Sequence, residues 1–286
     1  MRRSVMLLLP FALWALSMQG SAAEEGDIRR IAGSVLDEAP SSTWPNEANT
    51  GVPKGAVLEV RKGDVVTVRD DQVIEELDIS GSVYIKHNNV TVQRSRITAA
   101  ATYQVKIELG KTGAIVQDCE INGVGTGNDG SNGIAGQGTF LRNNIYNVEN
   151  GITLQGEGAS LIRDNFIHDL KASGPAHYDG IQIDGSISNA TITHNTIINS
   201  YNQTSAIMID NYFGPISNIT VDNNLLIGGG YTVYSSAQFN GGPVTGVSFT
   251  NNRLGKGQWG YRSVVKNNPV WRGNVDHVTG RALDSR

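Results

Sequence analysis

The sequence predicts an all-β chain wound as a right-handed parallel β-helix, a solenoid of short strands, with a short N-terminal capping helix. Short segments of alternating apolar and polar residues recur every 21 to 30 residues. Their alignment places one small or polar residue of each segment in a single column: Ser95, Cys119, Asn144, Asn165, Asn195, Asn224 and Asn252. A period in this range is typical of a solenoid, and an Asn column suits stacked turns whose amides bond to one another.

A second strand recurs between these segments. It is visible at Val105–Glu108, Ile152–Gln155, Ile181–Asp184 and Ile207–Asp210, where apolar residues alternate with mostly polar ones. Such alternation is expected of a strand with one face in the core. Two or more strands in each repeat make a coil, and stacked coils form parallel sheets.

Composition excludes several other classes of protein. Of 286 residues, 39% are hydrophobic and 17% charged, which is too apolar for a disordered chain. The 34 Gly and 8 Pro favour many tight turns over a helical bundle. The single cysteine, Cys119, excludes an internal disulfide and is predicted to be a small buried residue.

The N-terminal segment predicts export. Arg2 and Arg3 precede a nearly continuous apolar run, and small residues follow at Ser21 to Ala23, as in a cleavable secretory signal. We therefore expect a secreted or periplasmic protein with no membrane span after cleavage, and we expect it to be a monomer. The formal net charge of −4 makes a general nucleic-acid binder improbable.

The predicted organisation has four parts. Residues 1–23 are the signal peptide, and residues 24–40 form the capping helix, with apolar residues Ile28, Ile31, Val35 and Leu36 at helical spacing. Residues 41–256 form the parallel β-helix, and residues 257–286 form a C-terminal cap.

Several stretches carry a family resemblance. They are 44–55 with its Trp-Pro-Asn and Asn-Thr-Gly-Val-Pro-Lys-Gly, the Asn-ended strands, 177–182 (His-Tyr-Asp-Gly-Ile-Gln), and 223–234. Together they resemble secreted bacterial right-handed parallel β-helix proteins of the pectate-lyase-like superfamily. The resemblance implies a carbohydrate-active protein, although fold alone does not define the reaction. The chain lacks the Asp-Asp and Gly-His-Gly signature of polygalacturonases and the Asp-Pro-His motif of mannuronan epimerases.

One outward face of the second strand is the predicted site. If Ile181 and Ile207 point inward, then Gln155, Asp184 and Asp210 form a column with neighbours about 4.8 Å apart. His177 and Asp179 are expected on the turn that leads into the same strand. Carboxylates stacked this closely repel each other, which raises one pKa or requires a cation.

Three functions fit this face. In a lyase acting on a uronate-containing polysaccharide, which we favour, Asp179, Asp184 and Asp210 would bind Ca²⁺, leaving His177 or a Lys or Arg as base. In a glycoside hydrolase, two of these carboxylates would flank the scissile bond. In a protein that only binds polysaccharide, Tyr201, Tyr212 and Tyr231 would form an aromatic platform for sugar rings.

The candidate residues follow from these alternatives. The predicted catalytic residues are His177, Asp179, Asp184 and Asp210, and the predicted substrate-binding residues are Gln155, Gln182, Tyr212 and Tyr231. Calcium is the one predicted cofactor.

Overall fold

A computed structural model describes residues 43–283, and this part of the chain consists of short strands joined by tight turns. In chain order the first strands are β1 (Glu59–Lys62), β2 (Val65–Val66), β3 (Val73–Glu75), β4 (Leu77–Ser80), β5 (Val83–Ile85), β6 (Thr91–Gln93), β7 (Arg96–Thr98), β8 (Tyr103–Ile107), β9 (Ile115–Gln117), β10 (Glu120–Asn122), β11 (Asn132–Gly136), β12 (Thr139–Leu141), β13 (Asn144–Tyr146) and β14 (Asn150–Leu154). They are followed by β15 (Ser160–Arg163), β16 (Phe166–Ile167), β17 (Asp179–Ile183), β18 (Ile187–Thr193), β19 (Thr196–Asn199), β20 (Ser205–Ile209), β21 (Ile216–Asp222), β22 (Leu225–Gly228), β23 (Tyr231–Ser236), β24 (Val244–Thr250), β25 (Arg253–Gly255), β26 (Gly260–Val265), β27 (Val270–Arg272) and β28 (Val275–Asp276).

Every third strand joins the same sheet. Sheet 1 runs from β1 through β4 and β7 to β28, sheet 2 from β2 through β5 and β8 to β26, and sheet 3 from β3 through β6 and β9 to β27. All the strand pairs within these sheets are parallel, for example β14 with β17 and β17 with β20. Each coil therefore contributes one strand to each sheet, which makes the chain a parallel β-helix, as predicted.

The core is a stack of aliphatic side chains along the axis of the coils. In sheet 1, the inward residues Ile79, Ile97, Ile121, Ile145 and Ile167 lie in register, and each is fully buried. Burial of such side chains contributes about 1.5–3 kcal/mol each, so the repeated contact between like residues supplies most of the stabilisation.

An Asn ladder lines the turn between sheets 3 and 1. The backbone N–H and side-chain Nδ2 of Asn195 lie 2.9 and 3.0 Å from Asn224 Oδ1, and Asn224 bonds to Asn252 in the same way. The ladder starts with Ser95 and Cys119 and continues beyond Asn252 to Asn274. The prediction was wrong in one coil, because the member there is Asn143, whose Oδ1 accepts from Cys119 N–H; Asn144 begins β13 instead.

The residue before each ladder member has a left-handed backbone, with φ between 47° and 58° in the charged positions. From Arg94 to Asp164 these positions alternate in charge: Arg94, Asp118, Arg142 and Asp164; Glu76 occupies the equivalent place one coil earlier and His194 one coil later. Neighbours bond to each other, with Arg94 Nε 3.2 Å from Glu76 and Arg142 Nε 2.7 Å from Asp118. The sequence analysis missed this charge ladder.

The described N-terminal segment, 43–55, lies on the outside of later coils. The Trp44 ring stacks on His194 with centroids 5.2 Å apart, and Gly51 N–H donates to Arg142 O at 2.8 Å. The predicted signal peptide (1–23) and capping helix (24–40) lie outside the described residues. Within residues 43–283 no helix is long and apolar enough to cross a membrane.

The C-terminal region continues the sheets. The last strands, β26, β27 and β28, each add one strand to a sheet, so the coils extend past the boundary predicted at residue 256. Cys119 is fully buried with a free thiol, as predicted, and burial raises its pKa to about 12.

Candidate functional site

The outer face of sheet 2 carries three columns of side chains that follow the axis of the coils. At the beginning of the strands, register aligns Tyr103, Asn132, Asn150, Asp179 and Ser205. In the middle it aligns Lys106, Ala135, Thr153, Gln182 and Met208. At the end, Gln155, Asp184 and Asp210 follow the inward residues Leu154, Ile183 and Ile209. The predicted column of Gln155, Asp184 and Asp210 therefore lies on neighbouring coils.

A groove of about 410 Å³ follows this face. Its polar lining consists of Asn132, Asn150, Thr153, Gln155, Gln182 and Asp184, and Leu109 and Phe213 lie at its rim. The groove therefore presents mainly amide, hydroxyl and carboxyl groups.

Asp184 and Asp210 form a carboxyl pair on adjacent strands. Ile183 pairs with Ile209, so the two residues that follow are neighbours. Burial, and to a smaller extent the charge of Asp210, raises the pKa of Asp184 to about 7. Burial also raises the pKa of Asp210, although a hydrogen bond of 2.9 Å from Tyr212 N–H to its Oδ1 opposes the shift. Near neutral pH this pair can therefore supply both a protonated and an ionised carboxyl group.

Gln182 orients Asp184. Its Nε2 donates to Asp184 Oδ2 at 2.8 Å, and its Oε1 lies 3.2 Å from Thr153 Oγ1. The amide of Gln182 thus connects the carboxyl pair with the middle of the groove, which is consistent with its predicted place beside the substrate.

Asp179 lies apart from that pair. It is the first residue of β17 rather than a turn residue, and it is only 2% exposed. Its Oδ1 accepts from Ser205 Oγ at 2.7 Å, and burial raises its pKa to about 7. Asp184 is five positions further along the sequence, which places the Cα atoms of the two residues up to about 16 Å apart along an extended strand.

His177 lies still farther from the pair, in the loop before β17. It is exposed, and its backbone N–H donates to Glu149 Oε1 at 3.2 Å. The structure therefore does not bring His177 together with Asp184 and Asp210. His177 precedes β17 and Asp184 follows it, so the length of the extended strand separates them.

The three aspartates predicted to hold calcium do not converge. Within residues 43–283 no group of three or more His, Cys, Asp or Glu side chains is placed to bind one metal ion. Calcium takes six to eight oxygen ligands, whereas Asp184 and Asp210 offer two carboxylates, and one oxygen of Asp184 already accepts from Gln182. The arrangement described here does not fit a calcium ion, and no chemical step is derived through one.

Sequence reasoning missed Lys106. It is the only basic residue in strands β8, β11, β14, β17, β20 and β23. The small side chain of Ala135 on the next strand leaves room for Lys106 Nζ to donate to Gln155 Oε1 and to lie 4.8 Å from the centre of the Tyr103 ring. Burial lowers the pKa of Lys106.

Aromatic side chains flank the later coils of this face. Tyr212, which is 59% exposed, meets Phe213 and Phe239 edge to face with centroids 4.7 and 5.0 Å apart. Tyr231 meets Tyr234 at 5.5 Å and Trp259 at 5.9 Å. Tyr201, the third member of the predicted platform, stacks on Tyr178 at 3.8 Å.

Comparisons with known proteins bear on the fold. No curated protein matches the sequence significantly. Among solved structures, the crystal structure of the Agl-KA catalytic domain matches with a TM-score of 0.51 and 17% identity, over 74% of this chain and 49% of that one. The chain thus spans about half the length of that domain, and the match shows a shared fold.

A family model gives the stronger result. The model described as the right handed beta helix region matches residues 81–254, which is more than half of the chain. The matched segment begins before β5 and ends in β25, so it includes the whole groove on sheet 2. The chain therefore belongs to the right-handed β-helix family.

Proposed function

We propose that this protein is an exported carbohydrate-active enzyme that hydrolyses a glycosidic bond of a polysaccharide, with Asp184 and Asp210 as its catalytic pair. The observation that carries the proposal is the pair of carboxyl groups on adjacent strands, of which Asp184 lines an open polar groove and has a pKa near 7. A group with this pKa can both hold and release a proton at neutral pH.

The environments of the two carboxyl groups assign their roles. Asp184 is the more strongly shifted and donates its proton to the glycosidic oxygen as the bond breaks. Asp210, whose Oδ1 accepts from Tyr212 N–H, stays ionised and attacks or stabilises the sugar carbon. The spacing of adjacent strands, about 4.8 Å, is close to the ~5–5.5 Å between carboxyl groups in retaining glycosidases, so we expect retention of configuration.

Fold similarity supports this class of function only indirectly. The Agl-KA domain is described as catalytic and shares the β-helix, and carbohydrate-active proteins are what the resemblance in residues 44–55, 177–182 and 223–234 implies. The exposed Tyr212 and Trp259 beside the groove suit sugar rings, whose apolar faces stack on aromatic side chains.

The lyase alternative is favoured by Lys106. A lysine with a lowered pKa on the outer face of sheet 2 can remove the proton beside a uronate carboxylate, and its charge can attract that carboxylate. Lys106 replaces His177 as the base in this alternative. Its hydrogen bond to Gln155 would have to open for the reaction.

The deciding experiment is an activity screen of the exported form of the chain. Polygalacturonate, alginate, xylan and glucans would be incubated with calcium or with a chelator, and new reducing ends and ultraviolet absorbance of unsaturated uronate would be recorded. Reducing ends without absorbance, unaffected by the chelator, are expected of the hydrolase. Both signals together would indicate a lyase, and their loss with the chelator would restore the calcium prediction.

A control variant tests whether the loss of activity is specific to carboxyl groups of the candidate site. Glu47→Gln changes an exposed carboxylate far from sheet 2 and should leave all activities unchanged. Absence of any cleavage, with oligosaccharide binding retained, would contradict both enzymatic alternatives and leave the binding function.

A further inference from the structure

The column at the beginning of the sheet 2 strands contains one polar atom with no partner. Asn132 Oδ1 accepts from Thr153 Oγ1 at 2.5 Å, and Asp179 Oδ1 accepts from Ser205 Oγ at 2.7 Å. Asn150 lies between Asn132 and Asp179 by register, and its Oδ1 is buried without a hydrogen-bond partner. Among these aligned residues, Asn150 alone has an unpaired acceptor.

Leaving such an acceptor unpaired is costly. An unsatisfied buried polar group costs about 1–3 kcal/mol, and native proteins rarely keep one without a reason. Asn150 is 93% buried as a residue, since only 7% of its surface is exposed, and it lines the groove together with Thr153 and Gln182. A ligand in the groove is therefore well placed to provide the missing donor.

The groups around Asn150 indicate what kind of ligand group would donate a hydrogen bond to its Oδ1. The side chains around Asn150 in the groove lining are the amides of Asn132 and Gln182 and the hydroxyl of Thr153. The acidic residue aligned with Asn150, Asp179, does not line the groove and its Oδ1 accepts from Ser205 Oγ, and Asp184 follows the other end of β17. A neutral hydroxyl, which both donates and accepts, is the group that such surroundings complement.

We propose that the Asn150 end of the groove is a sugar-binding subsite, where Asn150 Oδ1 accepts a hydrogen bond from a hydroxyl of the polysaccharide. The subsite depends on the proposed function. It would hold one sugar ring of the polysaccharide, while Asp184 acts at the bond of another ring. Asn150 is a substrate-binding residue in this arrangement, and it takes no part in proton transfer.

The test measures binding without turnover. Hexasaccharides of galacturonate and of glucose would be titrated by calorimetry into the Asp184→Asn variant, alone and combined with Asn150→Ala. Losing one neutral hydrogen bond should weaken the Kd of the bound hexasaccharide about five- to tenfold. Gln117→Ala, which removes an amide from the outer face of sheet 3, is the matched control and should not change the Kd.

Each remaining outcome has a defined meaning. An unchanged Kd, with a lower Tm for Asn150→Ala, would mean that Asn150 bonds within the protein, for example to a protonated Asp179, and would overturn the subsite. Failure of both hexasaccharides to bind would overturn it as well. A weakened Kd in a chain that cleaves nothing would keep the subsite and reject the proposed hydrolysis. Asn150→Ser would be used in the same way if Asn150→Ala does not fold.

Discussion

At the scale of single residues, the two ends of β17 carry aspartates with similar pKa values and different surroundings. Asp179 is enclosed and bonded to Ser205, whereas Asp184 is partly exposed in the groove and bonded to Gln182. Burial is the largest cause of both shifts, but only Asp184 has a second carboxyl group beside it and access to a ligand. A raised pKa alone therefore does not identify a catalytic group; access and a partner are also needed.

Asp184→Asn should abolish turnover while the fold is retained. The amide cannot donate an acidic proton, so we expect kcat to fall about 10²- to 10⁴-fold, the contribution typical of general acid catalysis. Circular dichroism should be unchanged and Tm should not fall, because an outward carboxamide costs the core nothing and avoids ionising a partly buried carboxyl group. Tyr212→Ala is the comparison: in a protein that only binds polysaccharide, without turnover, Asp184→Asn should weaken the affinity modestly and Tyr212→Ala should weaken it more.

Sequence reasoning placed Asp184 on the outward face, where the structure has it, and placed Asp179 on a turn, where the structure has the first residue of a strand, and the difference has a physical reason. Strand alternation determines the face on which Gln155, Asp184 and Asp210 lie, and the parallel register then aligns them. Alternation does not determine how deeply the first residue of a strand is enclosed. At Asp179 that depends on the contact with Ser205, which is distant in sequence.

At the scale of elements, the strand that went unrecognised is the one that shapes the groove. β11 has the sequence Asn-Gly-Ile-Ala-Gly, with one large apolar side chain, so alternation gives little signal. Its Ala135 nevertheless lets Lys106 reach Gln155 across a neighbouring coil. Periodicity thus predicts strands with several large apolar side chains in the core. It overlooks a strand such as β11, whose small side chains leave room on the outer face for Lys106.

The charge ladder beside the Asn ladder makes a prediction about non-additivity. Arg142→Asp would place a third acidic residue between Asp118 and Asp164, and we expect it to lower the free energy of unfolding by about 1 kcal/mol, less at high salt. In an isolated ion pair, the added change Asp118→Arg would restore stability. In a ladder the double change creates new pairs of like charges. The Asp118→Arg change places a second cation beside Arg94, and the Arg142→Asp change places a second carboxylate beside Asp164, so stability should stay low.

Denaturant unfolding of the two single variants and the double variant, with and without added salt, measures this effect. Thr191→Ala, on the outer face of sheet 3, serves as the control for a surface change in the same region. Full recovery in the double variant would show that Asp118 and Arg142 act as an independent pair.

At the scale of the whole molecule, the buried carboxyl groups predict how stability depends on pH. In the folded chain the pKa values of Asp179 and Asp184 are about 7, whereas the ordinary value is 3.8. The folded state therefore binds protons more tightly, and stability should fall as pH rises from about 4 to about 7 and level off above that range. For the fully buried Asp179 the change is of the order of a few kcal/mol.

Thermal unfolding from pH 4 to pH 8 tests this prediction. Asp179→Asn should flatten much of the slope, because its side chain no longer takes up a proton on folding. Equal Tm values for the wild-type chain at pH 5 and pH 8 would show that Asp179 is ionised in the folded protein throughout this range.

The overall architecture was the most predictable property, because the same pattern of apolar and polar residues recurs in almost every coil. One misplaced member, Asn144 for Asn143, leaves the remaining columns aligned. The site was less predictable, since it depends on single side chains such as Lys106 and Asn150 that no repeat duplicates.

The contact of Trp44 with His194 constrains the order in which the chain can fold. In most solenoids each repeat touches only its neighbours, so coils can form one after another as the chain emerges. Here an early segment rests on residues that are synthesised much later, at Arg142 and His194. The segment must wait, undocked, until those coils exist, and its docking then joins coils that are not adjacent. Residues 43–55 therefore dock only after the coils that carry Arg142 and His194 have formed.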